Sequence, residues 1–460
     1  MIHISHEVFI PEEDIRPDDR QRIMAALTYP NPEWYRLSKM ERISEWRLRQ
    51  VPKKLWDYRI EKGDLVLPRG AWLRCFGGVT TDLPSEDHRV ACALPMPVSL
   101  AAHLRDYQKE AVAAIREKCE GLVVADCGAG KSVIGVAAIA ALQQPTFIMV
   151  HEVKLVKQWE AELRDKLSGE FTIGVFGNGK KKLGDITIGL IQTLRRLSRS
   201  EMEVLASQFG MVIVDECHHI PAESFYHAIN CFPAKYRIGL SATPKRKDRL
   251  EFRLFDALGP ILYQIDSKQL EKEGRITSAT VRIVNTHYIS SHHKEDWSNA
   301  ITALTKADWR NGIIVRRVVA NVKEGRHVLV LSDRVEHCKM LVEVLKAGGL
   351  NSRLLLGETP ADEREATRLD KKVQVIVGTT VADEGLDCPW LDTVHLTCPS
   401  NNKARVKQRI GRIRRICEGK NHPVVYDYQD QGCIFPVLSR NRERWYEEMG
   451  FGIEEREDVR

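Results

Sequence analysis

The sequence predicts an α/β fold in which two tandem parallel-sheet domains follow a smaller N-terminal accessory domain. Three observations lead to this prediction. The chain has 460 residues, which is enough for about three domains of roughly 150 residues each. Two series of short apolar segments alternate with helix-like stretches, as in sheets that are covered by helices on both faces. The charge balance also changes sign within the first 74 residues, which indicates a separate module before the first series.

Composition and charge exclude several classes of protein. Hydrophobic residues make up 43% of the chain and charged residues 29%, as in ordinary globular proteins. The longest mainly apolar stretch, residues 133–142, is half of the ~20 residues that a membrane span needs, and the N-terminus lacks a signal-peptide pattern. The eleven cysteines include no C-x-x-C pair. We therefore expect reduced thiols, no structural zinc, no membrane partner and a cytoplasmic location, in the host cell if the protein is viral.

The N-terminal module is expected to span residues 1–97. Residues 1–35 contain three bases and seven acids, whereas residues 36–74 contain eleven bases and five acids. Trp46, Trp56, Tyr58 and Trp72 lie among the bases of the second stretch. Such a mixture suits phosphate contacts and base stacking in a DNA-binding surface, and it suits a solvated helix with core tryptophans equally well. We expect at least two of the three tryptophans to be core residues.

Each α/β domain is predicted from five apolar segments. The first series is residues 122–125, 146–150, 186–190, 211–214 and 236–240; the second is residues 327–331, 352–356, 373–377, 393–396 and 424–426. Continuous apolar segments, rather than alternating ones, indicate parallel strands with both faces covered. We therefore expect the first domain at residues 98–262, the second at residues 263–440 and a C-terminal tail at residues 441–460.

A phosphate-binding loop is predicted directly after the first of these strands. The loop contains Gly128, Ala129, Gly130, Lys131 and Ser132, and a helix-like stretch follows it. Backbone N–H groups at a helix N-terminus bind phosphate, so Lys131 would reach the β- and γ-phosphates of ATP and Ser132 would ligate Mg²⁺. Ala125 replaces the first glycine of the usual pattern, while the two later glycines allow the backbone to approach the phosphates closely.

Two acids follow the strand at residues 211–214. An acid at this end of a strand beside a phosphate loop can hold Mg²⁺, and the next carboxylate can orient the attacking water. Asp215 is therefore the expected metal ligand and Glu216 the expected base. Two such acids alone would more often be a solvated strand end, and the phosphate loop upstream favours the catalytic interpretation.

The densest basic segment is residues 403–415, with seven bases and no acid. Within it, Gln408, Gly411, Arg412 and Arg415 have the spacing Gln-x-x-Gly-Arg-x-x-Arg. On a helix this spacing places Gln408, Arg412 and Arg415 on one side. Guanidinium groups at a γ-phosphate stabilise transition-state charge, which would require the two α/β domains to close on one another. A solvated helix face or a DNA phosphate contact is the alternative.

In their order along the chain, these motifs resemble those of the DExH-type helicases of superfamily 2, over most of residues 100–430. The resemblance implies two RecA-like domains that use ATP and Mg²⁺. It implies catalytic roles for Lys131, Asp215, Glu216, Gln408, Arg412 and Arg415. Residues 104–108 are similar to the adenine-reading Q motif and residues 378–387 to motif V, which implies further ATP contacts from Arg105, Gln108, Gly385 and Asp387.

The same resemblance implies coupling and DNA-binding residues. Residues 215–218 are similar to motif II and residues 241–243 to motif III, which implies coupling roles for His218, Ser241 and Thr243. DNA contacts are implied for Gln192, Thr193, Arg246, Thr379 and Thr380. His151 and Glu152 replace the Pro-Thr that is usual in motif Ia.

Two stretches resemble the XPB/UvsW-like branch of the superfamily. One contains Asn178-Gly179, which predicts a hairpin turn because both residues accept positive φ. The other contains Arg246-Lys247-Asp248 where XPB-like proteins have Arg-Glu-Asp. This branch implies an ATP-dependent helicase or translocase that tracks 3′ to 5′ on DNA. We also expect a monomer. It would act on single-stranded and branched or forked duplex DNA in phage or bacterial recombination, repair or replication. An RNA helicase, or a duplex translocase without strand separation, is the alternative; an ATP-binding clamp without turnover would lack Glu216 or the arginine pair.

Overall fold

The computed structural model describes residues 1–40, 43–76, 84–126, 128–219, 223–242, 244, 249–293, 296–379 and 388–458. The chain forms two compact units that divide between Ile265 and Asp266. The first unit contains the N-terminal module and one large sheet, and the second unit contains another large sheet. No helix within the described ranges is both long enough and apolar enough to cross a membrane.

The N-terminal module is built on a five-stranded sheet. The strands of the whole module are β1 (Ile2–Ile4), β2 (Glu7–Pro11), β3 (Thr28–Pro30), β4 (Lys54–Trp56), β5 (Arg59–Glu61), β6 (Asp64–Pro68) and β7 (Ser85–Asp87). Its helices are α1 (Pro17–Ala26), α2 (Pro32–Leu37), α3 (Glu45–Arg49) and α4 (Arg69–Phe76). The sheet has the order β5-β6-β2-β1-β7, and β3 pairs separately with β4. Apolar residues of β2 and β6 alternate into a core with Ile23 and Trp72.

The expectation that at least two of three tryptophans fill this core is wrong. Trp72 is 4% exposed, whereas Trp46 and Trp56 are 72% and 52% exposed. Trp46 lies on the five-residue helix α3, and Trp56 ends the three-residue strand β4. Elements this short cover too little surface to bury an indole ring.

The first large sheet carries the predicted strands and several others. Its unit contains β8 (Ser99–Leu100), β9 (Glu120–Ala125), β10 (Thr146–Val150), β11 (Leu167–Ser168), β12 (Ile173–Gly177), β13 (Lys180–Lys182), β14 (Ile186–Leu190), β15 (Met211–Asp215), β16 (Tyr236–Ser241) and β17 (Ile261–Ile265). The helices are α5 (Asp106–Lys118), α6 (Lys131–Leu142), α7 (Val153–Lys166), α8 (Ile191–Leu194), α9 (Arg199–Ala206), α10 (Glu223–Ile229) and α11 (Glu251–Leu258). The order is β13-β12-β14-β10-β15-β16-β9-β17, parallel except for the β12–β13 hairpin. Asn178 and Gly179 have φ of 52° and 79° in that hairpin, as predicted.

Buried polar contacts join the N-terminal module to this sheet. Arg69, at the start of α4, pairs with Glu120 of β9 at 2.7 Å, with side chains 1% and 3% exposed. Asp256 of α11 is fully buried and accepts hydrogen bonds from Arg74 (3.0 Å) and from the Tyr29 hydroxyl (2.8 Å). A Cβ on Gly70 would lie 2.3 Å from the backbone nitrogen of Gly259, so α4 packs tightly against the end of α11. The module is therefore an integral part of the first unit.

The second unit is a seven-stranded parallel sheet covered by helices. Its elements are α12 (Ser267–Lys272), β18 (Thr280–Ser290), α13 (Trp297–Thr305), α14 (Asp308–Lys323), β19 (Val328–Leu331), α15 (Val335–Ala347), β20 (Ser352–Leu355), α16 (Ala361–Leu369), β21 (Val375–Gly378), β22 (Thr393–Leu396), α17 (Lys403–Ile413), β23 (Val424–Gly432), α18 (Phe435–Glu448) and β24 (Gly452–Asp458). The strand order is β20-β21-β19-β22-β23-β18-β24. Together the two sheets confirm the predicted α/β class with tandem parallel-sheet domains; the domain boundaries stay predictions. β24 lies within residues 441–460 and pairs with β18.

Candidate nucleotide-binding site

The phosphate loop connects β9 to α6, as the sequence predicts. Gly128 and Gly130 have φ of +91° and +76°, a region that glycine enters without steric cost. Gly130 is the N-cap of α6, so Lys131 and Ser132 occupy the first turn of a 12-residue helix. The backbone N–H groups and the positive end of the helix dipole at this position favour an anion.

Lys131 connects the loop to the acids at the end of β15. Its Nζ lies 3.4 Å from Glu216 Oε1 and donates to the Ala125 carbonyl at 3.4 Å. The Lys131 side chain is 13% exposed and that of Glu216 25%, so the pair lies in a partly desolvated position where a Coulombic attraction is stronger than at the surface. The two predicted catalytic residues are therefore neighbours.

Asp215 is a buried carboxylate with two donors. The Trp159 indole Nε1 donates to Asp215 Oδ2 at 2.9 Å, and the backbone N–H of Glu216 donates to Oδ1 at 2.9 Å. Burial raises the pKa of Asp215 to about 6, and the negative charge of Glu216 adds to this, while the Trp159 hydrogen bond and Lys131 oppose it. A bound cation would likewise offset the cost of burying the negative charge of Asp215. The sequence interpretation did not assign Trp159 to the site, and its spacing with Val156 and Leu163 is that of a buried helix face.

Glu216 has a backbone conformation that L-residues rarely adopt. Its φ is +46°, and a non-glycine residue in this region costs on the order of 1–3 kcal/mol. Such strain clusters at functional sites, where surrounding structure holds the residue in place. Here it turns the chain sharply after β15 and directs Glu216 back toward Lys131.

His218 connects these acids to the end of the neighbouring strand. Its Nδ1 lies 3.1 Å from the Ser241 hydroxyl and 3.4 Å from Glu216 Oε2. β15 and β16 are adjacent parallel strands, so their carboxyl ends bring motifs II and III together. The third predicted coupling residue, Thr243, lies outside the described residues.

Arg105 and Gln108 begin α5 close to the phosphate loop. Gln108 is 3% exposed, and its Oε1 accepts from the Arg105 backbone N–H at 3.1 Å. A Cβ on Gly130 would lie 2.7 Å from Gln108 Nε2, which places this amide against the loop. Arg105 donates to the Tyr107 hydroxyl at 2.6 Å. Gly385 and Asp387, which were assigned to the ATP site by resemblance, lie outside the described residues.

The donor set suits Mg²⁺ and a nucleotide triphosphate. Mg²⁺ prefers hard oxygen ligands such as the Ser132 hydroxyl and the Asp215 carboxylate. The glycine loop, where a Cβ would clash with Gln108, leaves backbone N–H groups accessible to phosphate oxygens. The residues present therefore fit both groups.

The basic segment of the second unit forms α17 and the turn after it. Arg405 and Arg409 each lie 3.1 Å from Asp333 Oδ1, and Arg409 is 1% exposed. Arg414 donates to the Thr277 carbonyl at 2.9 Å and pairs with Glu271. These three arginines have structural partners, which the charge pattern did not distinguish from catalytic ones.

The three predicted catalytic side chains of this segment are half-buried. Gln408 and Arg412 lie on α17, whereas Arg415 lies two residues beyond its end. Arg415 is held there by an isolated β-bridge to Ile276. Gln408 and Arg412 therefore share one helix as predicted, whereas Arg415 does not continue it.

The predicted DNA-binding residues are only partly described. Gln192 and Thr193 lie on α8 directly after β14, and Gln192 Nε2 donates to the His151 carbonyl at 2.6 Å. Thr379 is 9% exposed after β21. Arg246 and Thr380 lie outside the described residues. The nearby Arg195 is exposed just after α8; the sequence interpretation did not single it out.

Comparisons with known proteins agree with this arrangement. Residues 101–246 match the family described as type III restriction enzyme, res subunit, and residues 311–417 match the helicase conserved C-terminal domain. The DNA 3'-5' helicase XPB of Mycobacterium tuberculosis is 28% identical over 377 residues, which cover 77% of this chain and 66% of that protein. A probable helicase of Escherichia phage T5 is 29% identical over 325 residues, covering 68% and 69% of the two chains.

Two further similarities extend the same result. The DNA 3'-5' translocase XPB2 of Sulfurisphaera tokodaii is 27% identical over 398 residues, covering 77% of this chain and 88% of that protein. The fold is similar to a fragment of an HsdR subunit of a type I restriction enzyme from Vibrio vulnificus, with a TM-score of 0.56 at 16% identity over 78% of this chain and 69% of that one. The matched helicase regions lie one in each unit, and Lys131, Ser132 and the paired acids lie in the first. The chain therefore carries both domains of an ATP-dependent helicase of superfamily 2 and is similar to the XPB-like helicases.

Proposed function

We propose that this protein hydrolyses ATP to move 3′ to 5′ along DNA and acts, as a monomer, on branched or forked DNA in recombination, repair or replication. The observation that carries the proposal is the contact of Lys131 with Glu216 beside the buried Asp215. The relatives named as DNA helicases and translocases, and the resemblance to UvsW-like proteins, support DNA as the substrate.

In this proposal Lys131 exchanges partners when ATP binds. Its Nζ now neutralises Glu216 at 3.4 Å, and phosphate oxygens would compete for the same ammonium. Mg²⁺, held by Ser132 and Asp215, would neutralise charge on the β- and γ-phosphates. Glu216 is then released to accept a proton from the attacking water, as a general base must. Arg412 and Arg415 would stabilise charge that develops on the γ-phosphate.

His218 and Ser241 would transmit the state of the nucleotide. Glu216, His218 and Ser241 form a chain of contacts of 3.4 Å and 3.1 Å from the base to the end of β16. A change in the charge or position of Glu216 therefore alters the hydrogen bonding of the segment that follows Ser241. Substituting His218 should uncouple ATP hydrolysis from strand separation while turnover persists.

A cleft in the first unit supports a DNA-binding role for the N-terminal module. The cleft has a volume of about 730 Å³, and its lining includes Trp56, Arg59, Arg195 and Arg253. Trp56 is half-exposed there, and Arg195 lies three residues after Gln192. Arg59 pairs with Glu7 and Glu61, and Arg253 pairs with Asp57. The exposed Arg195 therefore suits contact with phosphate, and the exposed indole suits stacking on a base. Trp56→Ala should cost about 1–3 kcal/mol of fork binding with little change in melting temperature, whereas the core variant Trp72→Ala should cost about 3–5 kcal/mol of stability.

The test compares ATPase rates with single-stranded DNA, duplex, fork, four-way junction and single-stranded RNA. The proposal expects the greatest stimulation with forked or four-way DNA, and unwinding of the fork. Greatest stimulation with RNA would favour the RNA-helicase alternative. Stimulation by plain duplex, with displacement of a third strand but no unwinding, would favour a duplex translocase. Light scattering during turnover checks the monomeric state.

A further inference from the structure

Three metal-binding side chains converge on the surface of the N-terminal module, far in sequence from the motifs above. His3 lies on β1, Glu86 on β7, and His88 directly after β7. Within the part of the chain that the structure describes, no other three side chains of the types His, Cys, Asp and Glu bring their donor atoms so close together. We refer to these three residues as the His3–Glu86–His88 cluster.

The fold places these residues on one face of the sheet. β1 and β7 are adjacent parallel strands, and His3 is paired in register with Glu86. Paired residues project to the same face, and residues two apart on an extended chain do so as well. His88 therefore joins Glu86 and His3 on that face. The imidazole rings of His3 and His88 are stacked, with centroids 5.4 Å apart.

The donor atoms form a triangle of the size that a tetrahedral metal ion requires. His3 Nδ1 lies 3.2 Å from His88 Nε2 and 3.5 Å from Glu86 Oε2, and His88 Nε2 lies 3.2 Å from the same oxygen. An ion with tetrahedral bonds of about 2.1 Å holds its ligand atoms roughly 3.4 Å apart. The three distances therefore match the ligand spacing around such an ion, and rotation of the exposed imidazole rings would direct their lone pairs to it.

We propose that the His3–Glu86–His88 cluster is a zinc site that fastens β7 to β1. Two imidazole nitrogens and one carboxylate oxygen form a ligand set for Zn²⁺. The side chains are 45%, 49% and 53% exposed, so water can occupy the fourth position. The site was not foreseen, and zinc was not expected, because sequence spacing reveals only ligands that are close along the chain, whereas residues 3 and 88 are brought together by strand pairing.

A metal at this position would strengthen a weakly held edge. β7 has three exposed residues and pairs only with β1 in the described sheet. Directly after it, Arg89 pairs with Asp87 at 2.7 Å and with the buried Glu120 at 3.2 Å. Zinc would therefore fix the segment through which the N-terminal module continues into the first large sheet.

The test is a calorimetric titration of the full chain with Zn²⁺ in excess Mg²⁺, which occupies the oxygen ligands of the nucleotide site. We expect the wild type to bind one Zn²⁺ per chain. This binding should be absent or more than about tenfold weaker in His3→Gln, Glu86→Gln and His88→Gln. The matched control is His103→Gln, at an exposed histidine outside the cluster, which should bind like the wild type. Equal binding by all four variants, or no binding by the wild type, would overturn the proposal.

Two further readouts separate a built site from surface adsorption. Co²⁺ in the wild type should give the strong visible absorption of a four-coordinate ion, and His88→Gln should lose it. Zn²⁺ should slow amide hydrogen exchange in residues 85–88 of the wild type and not of His88→Gln. Six-coordinate Co²⁺ spectra together with unchanged exchange would show that only solvated ions associate with this surface.

Discussion

At the scale of single residues, Mg²⁺ binding should depend on how Asp215 is held. The carboxylate is buried, and the Trp159 indole donates to it at 2.9 Å. Groups that orient a metal ligand are typically worth about 10–100-fold in metal affinity. Trp159→Phe should therefore raise by that factor the Mg²⁺ concentration needed for half-maximal ATPase activity. Trp390→Phe is the control, because it removes an indole that donates to the Arg368 carbonyl in the second unit. Equal Mg²⁺ requirements in both variants would mean that Trp159 only packs.

Lys131 gives a second test at the same scale. Its ammonium group is the charge that the phosphate loop brings toward Glu216 and toward a bound triphosphate. Lys131→Ala should lower the ATPase rate by at least about 100-fold, since fixed charge at the reacting centre contributes on that order. Lys109→Ala, at an exposed lysine of α5, should leave the rate near the wild-type value. An active Lys131→Ala protein would remove the phosphate-loop assignment.

At the scale of elements, the N-terminal module is held to the first sheet by α4. A separate module at residues 1–97 would be removable and leave a soluble ATPase, but the buried contacts of Glu120 and Asp256 argue against this. Removing one partner of a buried ion pair costs about 3–5 kcal/mol. Arg69→Met should therefore destabilise the first unit by about that amount in urea unfolding. Arg49→Met, which breaks an exposed pair with Glu45, should cost less than about 1 kcal/mol. A soluble, active protein without residues 1–97 would contradict this account of the interface.

The arginines of α17 and its following turn should divide into two groups. Arg412→Ala and Arg415→Ala should lower the maximal ATPase rate by up to about 10³-fold with little effect on ATP affinity, because their contribution is to transition-state charge. Arg409→Ala should instead lower stability, since Arg409 is buried against Asp333. If Arg412 and Arg415 contact DNA, their variants would keep the maximal rate at saturating DNA and lose salt-dependent affinity.

At the scale of the whole molecule, buried titratable groups should make the responses to acid differ between parts of the two units. In the second unit, burial lowers the pKa of both His337 and His395 to about 3. In the unfolded chain a histidine has a pKa of about 6.5 and is protonated at pH 5, whereas these two buried histidines stay neutral. Each histidine therefore lowers the free energy of unfolding by about 2 kcal/mol at pH 5. In the first unit, burial and Asp256 raise the pKa of Asp57 to about 7. The folded unit therefore binds this proton more tightly than the unfolded chain, in which the pKa of Asp57 is near 3.8. The resulting stabilisation of the folded unit is complete below pH 3.8 and is lost as the pH rises through 7.

Hydrogen exchange measured at pH 7 and pH 5, and normalised to intrinsic rates, follows both units at once. We expect amides of β22 and β23 to lose protection at pH 5, while those of β9 and α11 do not. Equal loss in both units would show that these buried groups do not control the response.

The sequence predicted what depends on local pattern, and it missed what depends on long-range pairing. The apolar segments identified the central strands, and the loop after β9 and the acids after β15 were recognised from their context. β18 and β24 were missed because polar and charged residues interrupt them, so neither contains a continuous apolar segment. The Arg69–Glu120 and Trp159–Asp215 contacts join residues 51 and 56 positions apart, which a single sequence does not relate.

The most direct test of the central claim is ATP turnover by Glu216→Gln on forked DNA. The amide keeps the size of the side chain but cannot accept a proton from water. General-base catalysis typically contributes about 10²–10⁴-fold, so we expect a loss of that size in turnover and in fork unwinding, with ATP affinity retained. Turnover within a few-fold of the wild type would contradict the account, because the acid beside Lys131 would then not be the catalytic base.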